Sequence, residues 1–295
     1  PAQTGQQILR LVDNNWKIFF KNIKEWKKNK KKFLGKPNFP KPKDEVPLIF
    51  TNQQLRVKKN VIIFPQKINL IIKSKIAFKH TIKEAKIIGP IKAKIRIAYE
   101  KQLPAKKRNK NRILAIHFGI KNFITVANNI GKKPFAIKGG ALVSIIHYYL
   151  MKKAEFQRKR DKMGIKRIGI KREKRMLDIL HKISRTIINY AKKHNIGTIL
   201  VSKLKKQKVR LGKIGKTFGL MPYNGLINQL RYKGEEEGIE VKEIDPRGIR
   251  EKAAHPGLKA AYNLIKKYDP KQLKNKKIYT YPKVLKLNQL HLCAL

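Results

Sequence analysis

Acidic residues are scarce in this chain. Its 295 residues contain 18 Asp and Glu against 72 Lys and Arg, which gives a formal net charge of +54. Self-repulsion on this scale destabilises a compact state unless a polyanion neutralises it. A nucleic-acid backbone is the expected counter-charge, because each neutralised phosphate releases counterions whatever the base sequence. An anionic membrane surface is the weaker alternative. With 41% hydrophobic residues the chain can bury a core, which excludes a disordered basic tail.

Cysteine is nearly absent as well. Cys293 is the only one, which excludes an internal disulfide and any zinc knuckle made by this chain alone. We interpret it as a reduced bystander and expect a cytoplasmic protein. The longest apolar run, residues 141–151, is too short to span a bilayer. No secretory signal is visible, and because the chain begins with PAQTGQQ we expect it to lack its true start.

The first third of the chain changes from helical to strand periodicity. Residues 6–28 predict a helix, since apolar residues recur every three or four positions. Lysines and prolines in 24–43 then indicate a basic linker, and short β-branched runs over 46–100 predict a small barrel or sheet. The predicted helical stripe consists of Leu9, Val12, Trp16, Phe19 and Ile23.

Two features of this first third have two interpretations each. In the run 86–99, Lys92, Lys94 and Arg96 alternate with apolar residues, so one strand face is wholly basic. That face either grips a nucleic-acid backbone or is an ordinary solvated surface, and we weight the two equally. Aromatic rings in the helix either stack on bases or pack in a core, and the core is the more typical role for Trp16 and Phe19.

The rest of the chain alternates strands and helices. A second basic linker at 104–112 is followed by elements that predict an α/β layer fold. They are a strand at 113–118, a hairpin at 124–137, a helix at 176–195, a strand at 197–201, a helix at 223–238, a strand at 239–244 and a helix at 255–268.

Collinear segments over most of the chain resemble the TnpB proteins, also called OrfB, of insertion-sequence transposons. The resemblance implies a basic, RNA-binding N-terminal lobe with a small β-barrel and a RuvC nuclease domain of the RNase H-like fold. It also implies RNA-guided cleavage of DNA and kinship with type V CRISPR effectors. The segments are QILRLVDNNWKIFFKNIKEWKKN, IFTNQQ, AIHFGIKNFITVANNIGKKPFAIKGG, LHKISRTIINYAKKHNIGTILV and INQLRYKGEEEGIEV.

Taken together, these observations predict the domain organisation. We expect a helical segment with a basic linker over 1–45 and a small nucleic-acid-binding β-barrel or sheet over 46–103. After the basic linker at 104–112, a RuvC-like domain of RNase H fold follows over 113–290. That domain contains a long helical insertion at about 141–195.

The resemblance implies three catalytic acids, and this sequence departs from that pattern. Two Mg²⁺ ions about 4 Å apart need hard anionic oxygens. The first acid falls on His117, the second about Ser202 and the third near Gly257, none of which is a carboxylate. Glu243 and Asp245 are possible surviving acids, although an ordinary acidic strand end is the interpretation that we favour.

The implied cofactors and contacts follow from the same comparison. Active family members use Mg²⁺, but we expect no cofactor here, and the cysteines of the family's zinc ribbon are absent. We interpret His255 as a structural or solvated residue.

The expected partners are guide RNA and DNA, and we expect no membrane partner. The candidate nucleic-acid-binding residues are Lys92, Lys94, Arg96, Lys106, Lys107, Arg108, Lys171, Arg172, Lys205 and Lys206.

Three functions remain open from the sequence. The first is a nuclease-inactive, TnpB-like protein that binds guide RNA and DNA. The second is a decayed transposase fragment without function. The third is a residually active Mg²⁺-dependent RNA-guided endonuclease that uses Asp245, which we rank lowest because one carboxylate holds two divalent ions poorly.

Overall fold

The chain folds as two units, Pro1–Gln102 and Leu103–Leu295, in a computed structural model. The division falls beside the predicted basic linker at 104–112. Among the described residues, no helix is both long and apolar enough to cross a membrane. The structure describes residues 2–42, 46–75, 77–89, 94–103, 106–204, 217–245, 255–273 and 278–290.

The first unit combines one long helix with two small antiparallel sheets. Helix α1 is followed by strands in the sheet orders β1-β5-β6 and β2-β3-β4. Both sheets contribute to one apolar core, in which the Phe50 and Phe64 rings meet edge to face at 5.0 Å. The elements are α1 (Ala2–Lys28), β1 (Leu48–Thr51), β2 (Arg56–Lys58), β3 (Val61–Ile63), β4 (Ile71–Lys73), β5 (Thr81–Ile88) and β6 (Lys94–Glu100).

Two expectations for this unit need correction. Of the predicted stripe on α1, only Phe19 is buried, while Leu9, Val12 and Trp16 are exposed. The predicted apolar face of β6 is also exposed in large part, because β6 is an edge strand with one neighbour. Lys92 lies outside the described residues.

The second unit is built on a six-stranded mixed sheet in the order β11-β10-β7-β8-β9-β12. The strands β7, β8 and β9 form an antiparallel meander, and β10 and β11 continue from β7 in parallel. The mixed α/β class predicted from the sequence is therefore confirmed. The elements are β7 (Asn109–Phe118), β8 (Asn122–Asn128), β9 (Phe135–Lys138), α2 (Gly140–Arg158), α3 (Lys162–Lys193), β10 (Ile196–Ser202), α4 (Tyr223–Glu236), β11 (Glu240–Ile244), α5 (Pro256–Tyr268) and β12 (Lys283–Leu285).

Helices cover both faces of this sheet, so its central strands are buried on both sides. Leu114 and Ile116 of β7 point into the larger core, with residues of α2, α3 and α4. Ile113 and Ala115 alternate with them and pack against α5 on the opposite face. The period of two along each strand therefore decides which helix a side chain meets.

Strand β7 begins at Asn109, four residues earlier than the sequence predicts, so the second half of the expected linker is strand. Its first four side chains are exposed and carry no apolar signal. The backbone there is instead held by polar side chains. Thr198 Oγ1 donates to the carbonyl of Lys110 (2.9 Å), and Asn129 Nδ2 donates to the carbonyl of Asn111 (2.7 Å).

A buried carboxylate fastens the start of this unit to its helices. Glu237, the residue that ends α4, has a side chain that is 13% exposed and accepts from Lys106 Nζ (2.9 Å) and Lys192 Nζ (3.1 Å). Arg108 Nε donates to the backbone carbonyl of Glu237 (3.0 Å). The hydrogen bond from Lys106, with a second from Lys192, lowers the pKa of the Glu237 carboxyl.

A second buried polar group joins α3 to α4. Lys233 is 4% exposed, and its Nζ donates to Ser184 Oγ (2.6 Å) and to the carbonyl of His181 (3.2 Å). Ser184 Oγ lies 2.9 Å from Gln229 Oε1 and donates to it. Burial, together with the positive charge of Arg185, lowers the pKa of Lys233 to about 8.

Replacing Glu237 by Gln should lower the free energy of unfolding by about 1–3 kcal/mol near pH 7, because the charged hydrogen bonds from Lys106 and Lys192 are weakened. The folded-state pKa of Glu237 lies below its unfolded value, so this contribution is present above the unfolded pKa and disappears as the pH falls through the folded one. Urea unfolding at pH 7 and pH 3 measures it. Glu235→Gln, an exposed neighbour on α4, is the matched control and should have little effect.

Lys233 predicts a second pH dependence, in the alkaline range. Its proton is lost at about pH 8 in the folded state but near pH 10.5 in the unfolded state, so folding becomes more favourable as the pH rises between these values. Relative to Lys233→Met, the wild-type chain should gain about 2 kcal/mol of unfolding free energy between pH 7 and pH 9.5. A difference that stays constant with pH would contradict this assignment.

Candidate functional site

The carboxyl ends of β7 and β10 lie side by side. The two strands are parallel, and Val201 pairs with Ile116. One residue further along, Ser202 and His117 therefore occupy neighbouring positions at the same edge of the sheet. These are the first two positions that the sequence comparison singled out.

The third position reaches the same edge from α5. His117 pairs with Thr125 of β8, and a Cβ built on Gly257 would lie 3.0 Å from Thr125 Oγ1. Gly257 is the second residue of α5, so the beginning of that helix rests on the strand beside His117. The structure thus brings His117, Ser202 and Gly257 together at one edge, as expected for positions of a single site.

The side chains of His117, Ser202 and Thr125 lie on the face of the sheet that α5 covers. Ala115 and Leu200, two residues before His117 and Ser202, both belong to the core that includes α5 residues. Ala127, two residues after Thr125 on β8, also belongs to this core. Because side chains alternate along a strand, His117, Ser202 and Thr125 point to this face also.

Glu243 is on the other face. It pairs with Val201, whose side chain belongs to the opposite core, and its carboxylate forms an ion pair with Arg231 of α4. The residue of β11 that pairs with Ser202 is Ile244. Glu243 is therefore separated from His117 and Ser202 by the sheet, and it serves as an α4–β11 ion pair.

Asp245 follows β11 directly and lies at the same edge of the sheet. Its backbone carbonyl accepts from Lys267 Nζ of α5 (3.1 Å). Among the described residues, Asp245 is thus the acid that remains close to the carboxyl ends of these strands. The residues that follow it, 246–254, lie outside the described part of the chain.

Two polar residues, His255 and Asn122, complete the surroundings of Gly257, and the sequence singled out no role for Asn122. His255 is the N-cap of α5, and its Nδ1 accepts from the backbone N–H of Leu258 (3.0 Å). Its Nε2 lies 3.1 Å from the side-chain amide of Asn122, at the start of β8. The structural role expected for His255 is confirmed. This cap joins α5 to the β7–β8 turn. The sequence signal for it was a polar residue, His255, directly before a helix that begins with proline.

An aromatic group holds that turn from the other side. Tyr223 of α4 donates a hydrogen bond to the carbonyl of Gly119 (2.7 Å), directly after β7. Its ring stacks on Phe123 at 5.3 Å and contacts Phe118 and Phe218. Burial raises the pKa of the Tyr223 hydroxyl, so it remains a hydrogen-bond donor at ordinary pH.

The side chains at the three converging positions do not fit a pair of Mg²⁺ ions. Imidazole suits softer transition metals, and glycine has no ligand atom. Ser202 is 4% exposed, and its neutral Oγ has no hydrogen-bond partner among the described residues. Nor does that part of the chain contain any group of three His, Cys, Asp or Glu side chains placed to hold a metal.

The candidate nucleic-acid-binding residues divide into three groups. Lys94, Arg96, Lys107, Lys171 and Arg172 lie at least partly exposed on the surface, on β6, before β7 and on α3. Lys106 and Arg108 are held by Glu237, so they fasten β7 to the helices instead of forming a free basic linker. Lys92, Lys205 and Lys206 lie outside the described residues.

Comparison with known proteins adds two findings to this geometry. Residues 96–208 match the family model OrfB_IS605, described as a probable transposase. The match runs from β6 to the region after β10, so it contains His117 and Ser202. No curated protein matches the chain.

Solved structures share the fold. The chain aligns with a cryo-EM structure of a Cas12f1–sgRNA–target DNA complex with a TM-score of 0.52 and 15% identity, over 75% of this chain. It spans 59% of that Cas12f1 chain. A cryo-EM structure of a CRISPR–Cas12f ternary complex aligns with a TM-score of 0.40 and 14% identity, over 79% of this chain and 61% of the other.

The first alignment, at this level of identity, is evidence for the mixed α/β fold alone. The second is too weak to support even that. The matched segment covers the strands β7 to β10, which carry His117 and Ser202, whereas Gly257 on α5 lies outside it. Residues 96–208 of this chain are therefore similar to the OrfB_IS605 family of probable transposases.

Proposed function

We propose that this protein is a TnpB-like protein that binds guide RNA and DNA without cutting the DNA. The observation that carries the proposal is the convergence of His117, Ser202 and Gly257 at one edge of the sheet. Where the family pattern implies three carboxylates, this edge offers an imidazole, a buried hydroxyl and a glycine. The scaffold of a metal site is retained, but its ligands are not.

The fold supports a RuvC-type domain of the RNase H-like class. Its central strand β7 starts an antiparallel meander on one side and is flanked by two parallel strands on the other. In a parallel sheet, functional groups gather at the carboxyl ends of neighbouring strands. The three positions occur at that location, on β7, on β10 and at the start of the helix that packs over them.

The charge of the chain supports nucleic acid as its partner. A net charge of +54 is retained although the acids of the implied site are absent. Binding to a phosphate backbone requires cations and a suitable surface, whereas sequence recognition is delegated to guide pairing in RNA-guided effectors. The structurally similar Cas12f1 is in a complex with sgRNA and target DNA. A non-cutting relative would occupy its DNA target and block access to it, in the cytoplasm of a prokaryotic cell.

Asp245 supports a second candidate, residual Mg²⁺-dependent cleavage. It lies at the same edge of the sheet, directly after β11. One carboxylate neutralises little of the charge of two divalent ions, so the non-cutting function fits the edge better. Plasmid cleavage in Mg²⁺ that disappears in Asp245→Ala would favour this second candidate.

The first prediction concerns bound RNA. Because so basic a protein binds RNA fragments unspecifically, the informative measurement is the length and sequence of RNA that remains after a wash in high salt. We expect one discrete RNA, enriched over the cellular background, with a constant segment and a variable end. A random collection of fragments, or a chain without cooperative melting, would instead favour a decayed transposase.

The second prediction concerns the three positions. His117→Asp alone should not give Mg²⁺-dependent DNA cleavage, because two of the positions still lack a ligand. His147→Asp, on the exposed surface of α2, controls for the change in charge. Cleavage by the single variant would contradict the proposed loss of the site.

Restoring all three carboxylates provides the converse test. The triple variant His117→Asp, Ser202→Glu and Gly257→Asp should bind Mg²⁺ in calorimetry without nucleic acid. Its amide counterpart, with Asn, Gln and Asn at these positions, has nearly the same shape and should not. If Thr125 cannot accommodate a side chain at position 257, the double variant at 117 and 202 and its amide counterpart replace the triple pair. Equal binding by carboxylate and amide variants would contradict the convergence of these positions.

A further inference from the structure

Helix α1 exposes two large aromatic rings that a core helix would bury. The Trp16 side chain is 38% exposed and that of Phe20 is 56% exposed. The two rings are one turn apart and nearly parallel, with centroids 5.7 Å apart and an angle of 29° between their planes. They form an exposed, stacked pair of rings on the first unit.

Two further aromatic rings, Phe19 and Phe39, pack against Trp16. Phe19 is buried and meets Trp16 edge to face, with ring centroids 5.8 Å apart. Phe39, from the segment after α1, returns to within 4.9 Å of Phe19 and 6.2 Å of Trp16. The four rings contact one another, so Trp16 and Phe20 are held in place although they are exposed. We call these two rings the aromatic platform.

Lysines run beside the platform along the same helix. Lys17, Lys21, Lys24 and Lys28 follow at helical spacing and, with Phe20 and Glu25, line an open depression of about 410 Å³. The Glu25 carboxylate accepts from Lys32 Nζ at 2.6 Å, so its charge is compensated. Lys17 is paired with Asp13, and because both side chains are largely exposed the interaction is weak.

The combination of rings and lysines selects the kind of ligand. Exposed aromatic side chains stack on unpaired bases, while cations beside them neutralise the backbone, and this pairing is characteristic of single-strand binding. A duplex hides its base faces, so it can use the lysines but not the platform. An apolar protein segment would use the rings but would leave the row of lysines without counter-charge.

We propose that the aromatic platform and Lys21, Lys24 and Lys28 form a binding site for an unpaired segment of RNA, with one or two bases stacked on Trp16 and Phe20. This inference rests on the proposed function, which supplies a guide RNA as the bound partner, and it names the surface that receives its single-stranded part. The lysines contact the phosphates on either side of the stacked bases.

Tryptophan fluorescence tests this site directly in the full-length chain. The protein has two tryptophans, Trp16 and Trp26, and both lie on α1. In the Trp26→Phe variant, the emission reports on Trp16 alone. A single-stranded RNA of eight nucleotides should quench it, and a blunt RNA duplex of equal charge should bind without quenching. Single-stranded DNA of the same sequence should quench no more strongly than the RNA.

Two sets of variants separate stacking from charge. Trp16→Ala with Phe20→Ala should weaken single-strand binding by about 5- to 100-fold and leave duplex binding unchanged. Tyr148→Ala with Tyr281→Ala removes two exposed rings from the second unit and is the matched control. Replacing Lys21, Lys24 and Lys28 by Gln should reduce the slope of log K against log salt by about 2 for a single strand.

Several results would overturn the inference. They are quenching of Trp16 by the duplex, stronger quenching by single-stranded DNA than by RNA, no quenching by either strand, or equal loss of affinity in the ring variant and its control. The outcome is distinguishable from failure of the proposed function. If a discrete RNA still co-purifies with the Trp16 and Phe20 variant at wild-type yield and affinity, the function stands and this site is wrong.

Discussion

The parallel pairing of β7 with β10 is the interaction on which the candidate site depends. It places Val201 beside Ile116 and therefore Ser202 beside His117. A shift of β10 by one residue would turn Ser202 to the opposite face, where α2, α3 and α4 pack, and away from His117. The pairing is secured at its other end by polar groups, with Thr198 and Asn129 holding the exposed first residues of β7. Glu237 adds a charged connection from Lys106 to α3 and α4.

The geometry of this edge suits negatively charged metal ligands, but the residues that lie there have no carboxylate side chain. A sheet edge with a helix resting on it and a glycine turn beside it is a good position for groups that must be held still. Here those groups are His117, Ser202 and the backbone of Gly257, in a protein of net charge +54. A site without clustered carboxylates has little attraction for a divalent cation, while the remaining surface attracts polyanions. These two facts together support the proposed binding of nucleic acid without cleavage.

Much of the second unit could be predicted from the sequence, because its strands are buried on both faces and its helices are amphipathic. The three positions of the edge were predicted from the family resemblance, since His117 follows a strand and precedes a glycine turn. Other features could not be predicted. Lys106 and Arg108 read as part of a basic linker, because the partner that holds them, Glu237, is about 130 residues away in sequence. Thr125 and Asn122 gave no signal because their importance comes only from what packs against them.

The sequence by itself determined the charge of this protein, its class of fold and the loss of acids at the expected positions, because these depend on residue type and local periodicity. Only the tertiary structure decided which residues act together. It set Glu243 behind the sheet, where Arg231 pairs with it, and Asp245 at the edge, because Glu243 lies within β11 whereas Asp245 follows the last residue of that strand. It also left Trp16 exposed beside a buried Phe19, because burial depends on which face of a helix meets the rest of the unit.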